Sequence, residues 1–332
     1  MKIACYSVQP YEEPMMHAWG EAHGVEITTC QAPLSLETLE QAVGCEGVCV
    51  QQMSMFERDL LEAMKNQGIR AMGLRSAGFN NIPLDVIAEL GLAVVRVPAY
   101  SPSAIAEYSV SRLLELLRHN AEINAMVGSY NFGLPPMGLE LRDQVIGVIG
   151  TGHIGRRAIE IYRGFGCEVL AYDLYPNPEV AQMATYVDSI EELVSRCDVL
   201  TLHVPASSVG ADGERMISAR TIAAMKDGAF LVNTARAEHV DQGAVLEAVR
   251  SGKLAGAVLD LFDHEVKYLA KDFSGQAEEV YPELRELIAE PRILVSGHLA
   301  FFTETAARNL VEISLDGVQQ VLTTGSSPNQ VG

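Results

Sequence analysis

Three glycines at fixed spacing and a set of polar residues at strand ends are where this sequence concentrates its chemical possibilities. Gly150, Gly152 and Gly155 spell G-x-G-x-x-G directly after the apolar run VIGVI and before a segment of helical period. In such a turn the first glycine allows the tight bend, the second lets backbone approach a pyrophosphate, and the third permits close packing of helix on sheet. The helix that opens there presents unpaired N–H groups and a partial positive charge to an anion. The pattern predicts a dinucleotide site with loop contacts from Gly150, Gly152, His153, Ile154 and Gly155. Asp173 ends the next strand 18 residues after Gly155, close to the roughly 20 at which an acid reaches the ribose hydroxyls. Leu174 and Tyr175 follow it, with no arginine to hold a 2′-phosphate. The expected cofactor is therefore NAD, with Tyr175 beside the adenosine ribose.

A dinucleotide next to a carbonyl substrate implies hydride transfer, which requires an acid for the oxygen and a cation for the rest of the substrate. Both belong at strand ends that face the cofactor. The second half of the chain ends its strands with Thr234-Ala235-Arg236, with Asp260 and with Gly297-His298. A histidine there can give a proton to a keto oxygen and take it back in oxidation. An arginine offers a planar fork that binds a carboxylate in bidentate fashion, which lysine does not. His264-Glu265 begins an H-E-x-x-H pattern, but Tyr268 stands at its last position. The six cysteines include no C-x-x-C pair, so no metal is expected and the cysteines are read as small buried hydrophobes in a reducing compartment.

The elements that must hold these residues are legible as an alternation. Apolar runs KIACY, VEITT, GVCVQ, IRAMGL and LAVVRV are separated by helix-period stretches such as LETLEQAV and FERDLLEAMKNQG, a pattern of βα units around a largely parallel sheet. A second series begins at Val145 and runs through CEVLAYD, DVLTLHV, AFLVNTA, LAGAVLD and RILVSG. Between the two, SPSAIAEYSVSRLLELLRHNAEINAMV predicts one long helix with Ser101 as N-cap and Pro102 in the first turn. The polar stretch from Asp260 to Ile293 exceeds an ordinary αβ connection and is read as a lid, an oligomer contact or an insertion. The segment FFTETAARNLVEISLDGVQQVL predicts an amphipathic helix that crosses back to cover the first module.

Bulk properties narrow the partners. A chain of 332 residues is expected to form two domains. Its formal charge of -19 opposes a phosphate backbone, so nucleic acid is not an expected partner. No apolar run reaches the roughly 20 residues of a membrane span, and the N-terminal MKIACYSVQPYEEP lacks a secretory apolar stretch. The cytoplasm is the expected location, without membrane association.

The motifs VPAYSPSAIAE, GTGHIG, LHVP, NTAR, the LD…E segment and SGHLAFFTETA, in this order, resemble those of the D-2-hydroxyacid dehydrogenase family. RSAGFNN and GHLAFFTETA resemble its D-lactate dehydrogenase branch, and the likeness runs from about Lys2 to the last helix. It implies an α/β fold of two doubly wound parallel-sheet domains, a Rossmann NAD-binding domain (101–298) inserted into a flavodoxin-like substrate domain (1–100 and 299–332). It further implies Arg236, Glu265 and His298 as the catalytic set, converging in the gap between two sheets. Glu265 would fix the imidazole tautomer and favour its charged form. His203, Val204, Pro205, Thr234, Ala235, Arg236, Asp260 and His298 are expected to contact the cofactor. Ala77 and Gly78 through their N–H groups, Tyr100, Arg236, His298, Phe301 and Phe302 are expected to contact the substrate. That substrate is expected to be pyruvate or a close 2-keto acid, with a homodimer or homotetramer as the assembly. Two features depart from the family pattern. VQQM, Val50 to Met53, lacks the aromatic that related enzymes can place there, which leaves room for a larger branched or aromatic acid. Gly297 stands where many members have proline. An NAD-sensing, corepressor-like binding protein is the reading outside enzymes.

Overall fold

The computed structural model describes residues 1–52, 54–205, 215–269 and 271–331. It divides into two compact units, Met1–Ser101 with Phe302–Gly332, and Pro102–Phe301. The first unit begins β1 (Lys2–Cys5), α1 (Glu13–His23), β2 (Glu26–Thr29), β3 (Gly47–Val50), α2 (Arg58–Asn66), β4 (Ala71–Leu74), α3 (Leu84–Leu90) and β5 (Ala93–Val95). The second unit opens with α4 (Pro102–Leu117) and α5 (Asn120–Gly128), then β6 (Val145–Ile149), α6 (His153–Gly164), β7 (Glu168–Tyr172), β8 (Thr185–Tyr186), α7 (Ile190–Arg196) and β9 (Val199–Leu202). It continues with α8 (Ala219–Ala224), β10 (Ala229–Asn233), α9 (Gln242–Ser251), β11 (Leu254–Leu259), α10 (Pro282–Ala289) and β12 (Ile293–Val295). The chain then returns to the first unit as α11 (Glu304–Thr324) and β13 (Gln330–Val331).

The sheet of the first unit has the order β13-β5-β4-β3-β1-β2. All its pairings are parallel except that of β13 with β5. Without β13 this is the flavodoxin-like order 2-1-3-4-5. Strands β3 and β4 are buried along their whole length, which is why they read as unbroken apolar runs. Helix α11 lays Val311, Leu315 and Val318 into the core formed with Ile3, Cys5 and Val95. It packs so closely that a Cβ on Gly47 or Gly73 would collide with the Val318 side chain. One ionic group is sealed in this unit. Arg75, fully buried, donates to both carboxylate oxygens of Glu12 at 3.1 and 3.4 Å and to the carbonyls of Tyr6, Ser7 and Cys49. A buried charge persists only when paired and hydrogen-bonded in this manner.

The sheet of the second unit has the order β12-β11-β10-β9-β6-β7-β8, all parallel. Counting β6 as its first strand, the order is the Rossmann 3-2-1-4-5-6 with one strand added. Three of its helices, α7, α8 and α9, begin where the sequence supplies caps: Ser189 accepts from Glu192 N, Ser218 from Thr221 N and Asp241 from Ala244 N. The single long helix expected over 101–127 is instead two, because His119 adopts a left-handed backbone (φ 53°) between α4 and α5. Helix α5 buries none of its residues. The connection from Asp260 to Ile293 wraps a small core of its own, made by Phe262, Tyr268 and Leu284 with Phe273 and Tyr281 against it. Among the described residues no helix is long and apolar enough to cross a membrane.

Candidate active site

Register places the candidate residues at one level. Tyr172, Ile149, Leu202, Asn233, Leu259 and Val295 are successive partners across β7, β6, β9, β10, β11 and β12. The residues that follow them, Asp173, Gly150, His203, Thr234, Asp260 and Ser296, therefore emerge in a row along the carboxyl edge of one sheet. Strand order reverses between β6 and β9, and ligands of open α/β sheets bind outside the strand ends at such a point. The glycine loop and His203 flank it.

The glycine loop has the form that a pyrophosphate requires. Gly150 has φ 90°, and a Cβ there would strike the His203 carbonyl; a Cβ on Gly155 would strike the Gly150 carbonyl. Gly152 differs, since among the described residues a Cβ added to it meets nothing within 4 Å. Packing among the described residues does not explain the glycine, whereas an anion seated over the first turn of α6, with His153 and Ile154 as its opening residues, does. Asp173 uses its carboxylate to hold the loop. Its Oδ2 accepts from Thr151 N (2.6 Å) and Thr151 Oγ1 (3.0 Å), and its Oδ1 accepts from Tyr175 N (2.9 Å). Tyr186 adds a hydroxyl bond to Thr151 Oγ1 at 2.8 Å. The sequence argument missed Thr151 and Tyr186; a Tyr in a two-residue strand carries no signal of its own. The Tyr175 side chain is exposed.

Further along the row, burial holds the His203 imidazole down to about 4, so it is neutral at pH 7. Its Nε2 lies 3.1 Å from Thr201 Oγ1, and its Nδ1 is buried with no partner among the described residues. Thr234 Oγ1 is likewise buried and unpartnered. Two such orphaned polar atoms at the switch-point edge, together with the open face of Gly152, fit a bound dinucleotide. Val204 is half-buried, Pro205 exposed and Ala235 buried.

Three neighbouring strands, β10, β11 and β12, deliver the reactive groups. After β10, buried Asn233 accepts from Ala235 N (3.0 Å) and donates to Arg236 O (2.8 Å), which fixes the turn that carries Arg236. The guanidinium donates to Ala235 O (2.6 Å) and has no carboxylate partner among the described residues. Following β11, Asp260 is 1% exposed and spends both carboxylate oxygens on the next strand's loop. Oδ1 accepts from Ser296 Oγ (2.6 Å) and Leu299 N (2.9 Å), Oδ2 from Ala300 N (3.0 Å), and the backbone carbonyl from His298 N (2.7 Å). That loop holds His298 with φ 56°, a left-handed conformation that costs a residue with a Cβ about 1–2 kcal/mol. Nδ1 of His298 sits 3.2 Å from Glu265 Oε1, leaving Nε2 with no hydrogen-bond partner among the described residues. Glu265 starts a 3-10 turn whose C-terminal Tyr268 belongs to the small core of the 262–295 segment, so the excursion positions the carboxylate. Phe301 stands edge-on to the His298 ring at 6.3 Å. Asn233 and Ser296 open the NTAR and SGHLAFFTETA motifs but were absent from the expected site, because their roles are hydrogen bonds to the backbone of Ala235 and Arg236 and to Asp260 that only the fold reveals.

The remaining expected substrate residues lie in the other unit. Ala77 and Gly78 occupy the turn after β4, and neither N–H has an acceptor among the described residues. The Tyr100 carbonyl accepts from Asn309 Nδ2, and Phe302 is edge-on to Tyr11 at 5.1 Å. Gln52 accepts from Leu34 N at 3.0 Å. Met53, the last residue of VQQM, lies outside the described residues.

Comparison with known proteins gives this arrangement its family. A model of the D-isomer specific 2-hydroxyacid dehydrogenase NAD-binding domain matches residues 110–300. The chain is 37% identical over 335 residues to the D-lactate dehydrogenase of Lactiplantibacillus plantarum, covering 100% of this chain and 99% of that protein. A D-lactate dehydrogenase crystal structure from Treponema pallidum superposes with a TM-score of 0.90 at 36% identity over 100% of both chains. A structure of D-2-hydroxyisocaproate dehydrogenase does so with a TM-score of 0.91 at 34% identity, covering 100% of this chain and 99% of that one. With the family matched through more than half the chain and relatives aligned end to end, the chain belongs to the D-isomer specific 2-hydroxyacid dehydrogenases and is an NAD-dependent enzyme.

Proposed function

We propose that the enzyme reduces pyruvate or a similar small 2-keto acid to the D-2-hydroxy acid, reversibly. The observation that carries this reading is the His298–Glu265 pair two strands from Arg236, a guanidinium without a carboxylate partner among the described residues. Bound NADH supplies the hydride. The chain's own residues do the rest: Nε2 of protonated His298 gives its proton to the keto oxygen, while Glu265 holds the proton on Nδ1 and stabilises the imidazolium. In oxidation the same nitrogen takes the proton back. Arg236 binds the substrate carboxylate as a fork, and the N–H groups of Ala77 and Gly78 are proposed as further donors to it. Tyr100, Phe301 and Phe302 are proposed to line the substrate, and Asp173, His203, Val204, Pro205, Thr234, Ala235 and Tyr175 to flank the cofactor. Asp260 acts in this reading by shaping the loop of His298.

The test mixes purified protein, NADH and a panel of pyruvate, 2-ketoisocaproate and phenylpyruvate, and follows nicotinamide absorbance. Turnover of pyruvate above the others supports the reading; no oxidation with any 2-keto acid removes it. Preference for a branched or aromatic acid favours the larger-substrate reading, which rests on the absence of an aromatic from Val50 to Met53 in the sequence.

A second copy of the chain is the occupant we propose for the segment that follows α5. Tyr130, Phe132, Leu134 and Met137 are all at least three-quarters exposed within eight residues of sequence, and monomers rarely expose large contiguous apolar surface. Whether the assembly is a dimer or a tetramer is read by sedimentation. All six cysteines are unpaired, in keeping with the reducing cytoplasm.

A further inference from the structure

In a chain with formal charge -19, a partly desolvated arginine is expected to find a carboxylate. Seven arginines are buried or half-buried. Arg75, Arg112, Arg156, Arg157 and Arg215 each pair with Asp or Glu. Two have no carboxylate among the described residues: Arg236, assigned above, and Arg96, which that reading does not use.

Arg96 follows β5 in the first unit, beside the turn of Ala77 and Gly78. Its guanidinium donates to Ala77 O at 2.9 Å and lies 5.2 Å over the centre of the Phe79 ring. Its neighbour Val97 donates through N to Ser76 O at 3.0 Å, and Ser76 Oγ donates to Gly78 O at 2.7 Å. Three successive carbonyls of the turn are thus each fastened. The peptides are trans, and in a planar trans peptide the N–H points opposite to the carbonyl of the same unit. Fastening the carbonyls of Ser76, Ala77 and Gly78 therefore aims the N–H groups of Ala77, Gly78 and Phe79 away from their anchors. None of the three donates to any described acceptor. Successive N–H groups presented in this way form an anion-binding concavity.

We propose that Arg96 is a positioning residue for the substrate carboxylate, acting through the Ala77–Gly78 peptide. It holds the carbonyl so that Gly78 N–H faces the anion, and its charge polarises the peptide, strengthening that N–H as a donor. It also counters locally the negative field of the chain. This rests on the reading that Ala77 and Gly78 receive the carboxylate, and it adds the residue that aims them.

The experiment compares wild type, Arg96→Met and Arg96→Lys in steady-state reduction of the 2-keto acid that wild type turns over fastest, with thermal melting of each. Losing a charge-assisted bond behind the donor is expected to raise the substrate KM on the order of tenfold in Arg96→Met, with kcat within about threefold and the NADH KM unchanged. Lysine retains a charged donor, so Arg96→Lys is expected to return the substrate KM to within about threefold of wild type. A folded Arg96→Met with substrate KM within about threefold of wild type overturns the proposal, as does a loss confined to kcat. If Arg96→Met does not fold, the folded Arg96→Lys decides alone: a larger rise in its substrate KM overturns the proposal. Wild type that reduces no 2-keto acid overturns the underlying functional reading instead, which separates the two failures.

Discussion

Asp260→Ala removes one buried carboxylate and strands three donors: Ser296 Oγ, Leu299 N and Ala300 N, now bonded at 2.6, 2.9 and 3.0 Å. Hydrogen bonds to a charged acceptor contribute about 1.5–3 kcal/mol each, and a stranded buried N–H costs about 1–3 kcal/mol. The three do not sum, because the loop can relax: Leu299 is half exposed and its amide can reach water. A loss of about 3–5 kcal/mol is expected, in the range that marks rupture of a buried network. The functional loss follows from the backbone. His298 is held left-handed at a cost of about 1–2 kcal/mol, and freeing the loop lets that conformation relax. A displacement near 1 Å is enough to lower kcat about 10²-fold. Asp260→Asn keeps an oxygen for Ser296 and Leu299 but turns an amide donor toward the Ala300 N–H, so its losses should be intermediate. Urea denaturation and steady-state NADH oxidation measure both effects. Asp260→Ala with unchanged urea midpoint and kcat within threefold of wild type would refute the argument. A raised NADH KM with kcat intact would instead make Asp260 a cofactor contact.

His298→Ala is expected to lower kcat by about 10²–10⁴, with Glu265→Gln falling in the same direction by less and Arg236→Gln raising the substrate KM sharply; steady-state kinetics of the three variants check the roles. His203 titrates near 4 when folded and near 6.5 when unfolded, so the unfolded chain binds the extra proton between those values. Its contribution is complete above pH 6.5 and is lost as pH falls toward 4, by at most about 3 kcal/mol. Stability of His203→Gln should fall less steeply than wild type over that window, and parallel slopes would contradict the burial argument. Arg75→Met leaves the buried Glu12 without its counter-charge, with the Gln9 N–H at 2.9 Å as its remaining donor, which should cost about 3–5 kcal/mol. The double variant Glu12→Gln/Arg75→Met should recover part of that, read from urea midpoints.

What could be read in advance follows from how local each signal is. Strands β3, β4 and β6 are buried on both faces and stand out as apolar runs, and Gly150, Gly152 and Gly155 announce a backbone shape by themselves. The cap residues Ser189, Ser218 and Asp241 also act within three or four positions. By contrast, Tyr186 reaches Thr151 across 35 residues and Ser296 reaches Asp260 across 36, so only the folded sheet brings them to the site. The break at His119 was hidden because the apolar spacing of α4 runs on into a segment whose residues bury nothing. Strands β8 and β13 are two residues long, too short to show any period. The roles expected of Glu265 and Arg96 contrast in the same way: a family motif pointed to the first, while the second became visible only through the carbonyl it holds.

Helix α11 has a further consequence for how the protein is made. The core around Ile3, Cys5 and Val95 is completed by Val311, Leu315 and Val318, which the ribosome adds only after all of Pro102–Phe301. At about 5–20 residues per second, those roughly 200 residues delay it by about 10–40 s. At the end of that interval β1, β3, β4 and β5 have emerged with this face of their sheet covered only by α1, through Met16 and Trp19, while the later-born unit already has every strand and helix it needs. The second half of the chain can thus reach its native state before the first, and nascent chains should depend on chaperone cover over the N-terminal hundred residues.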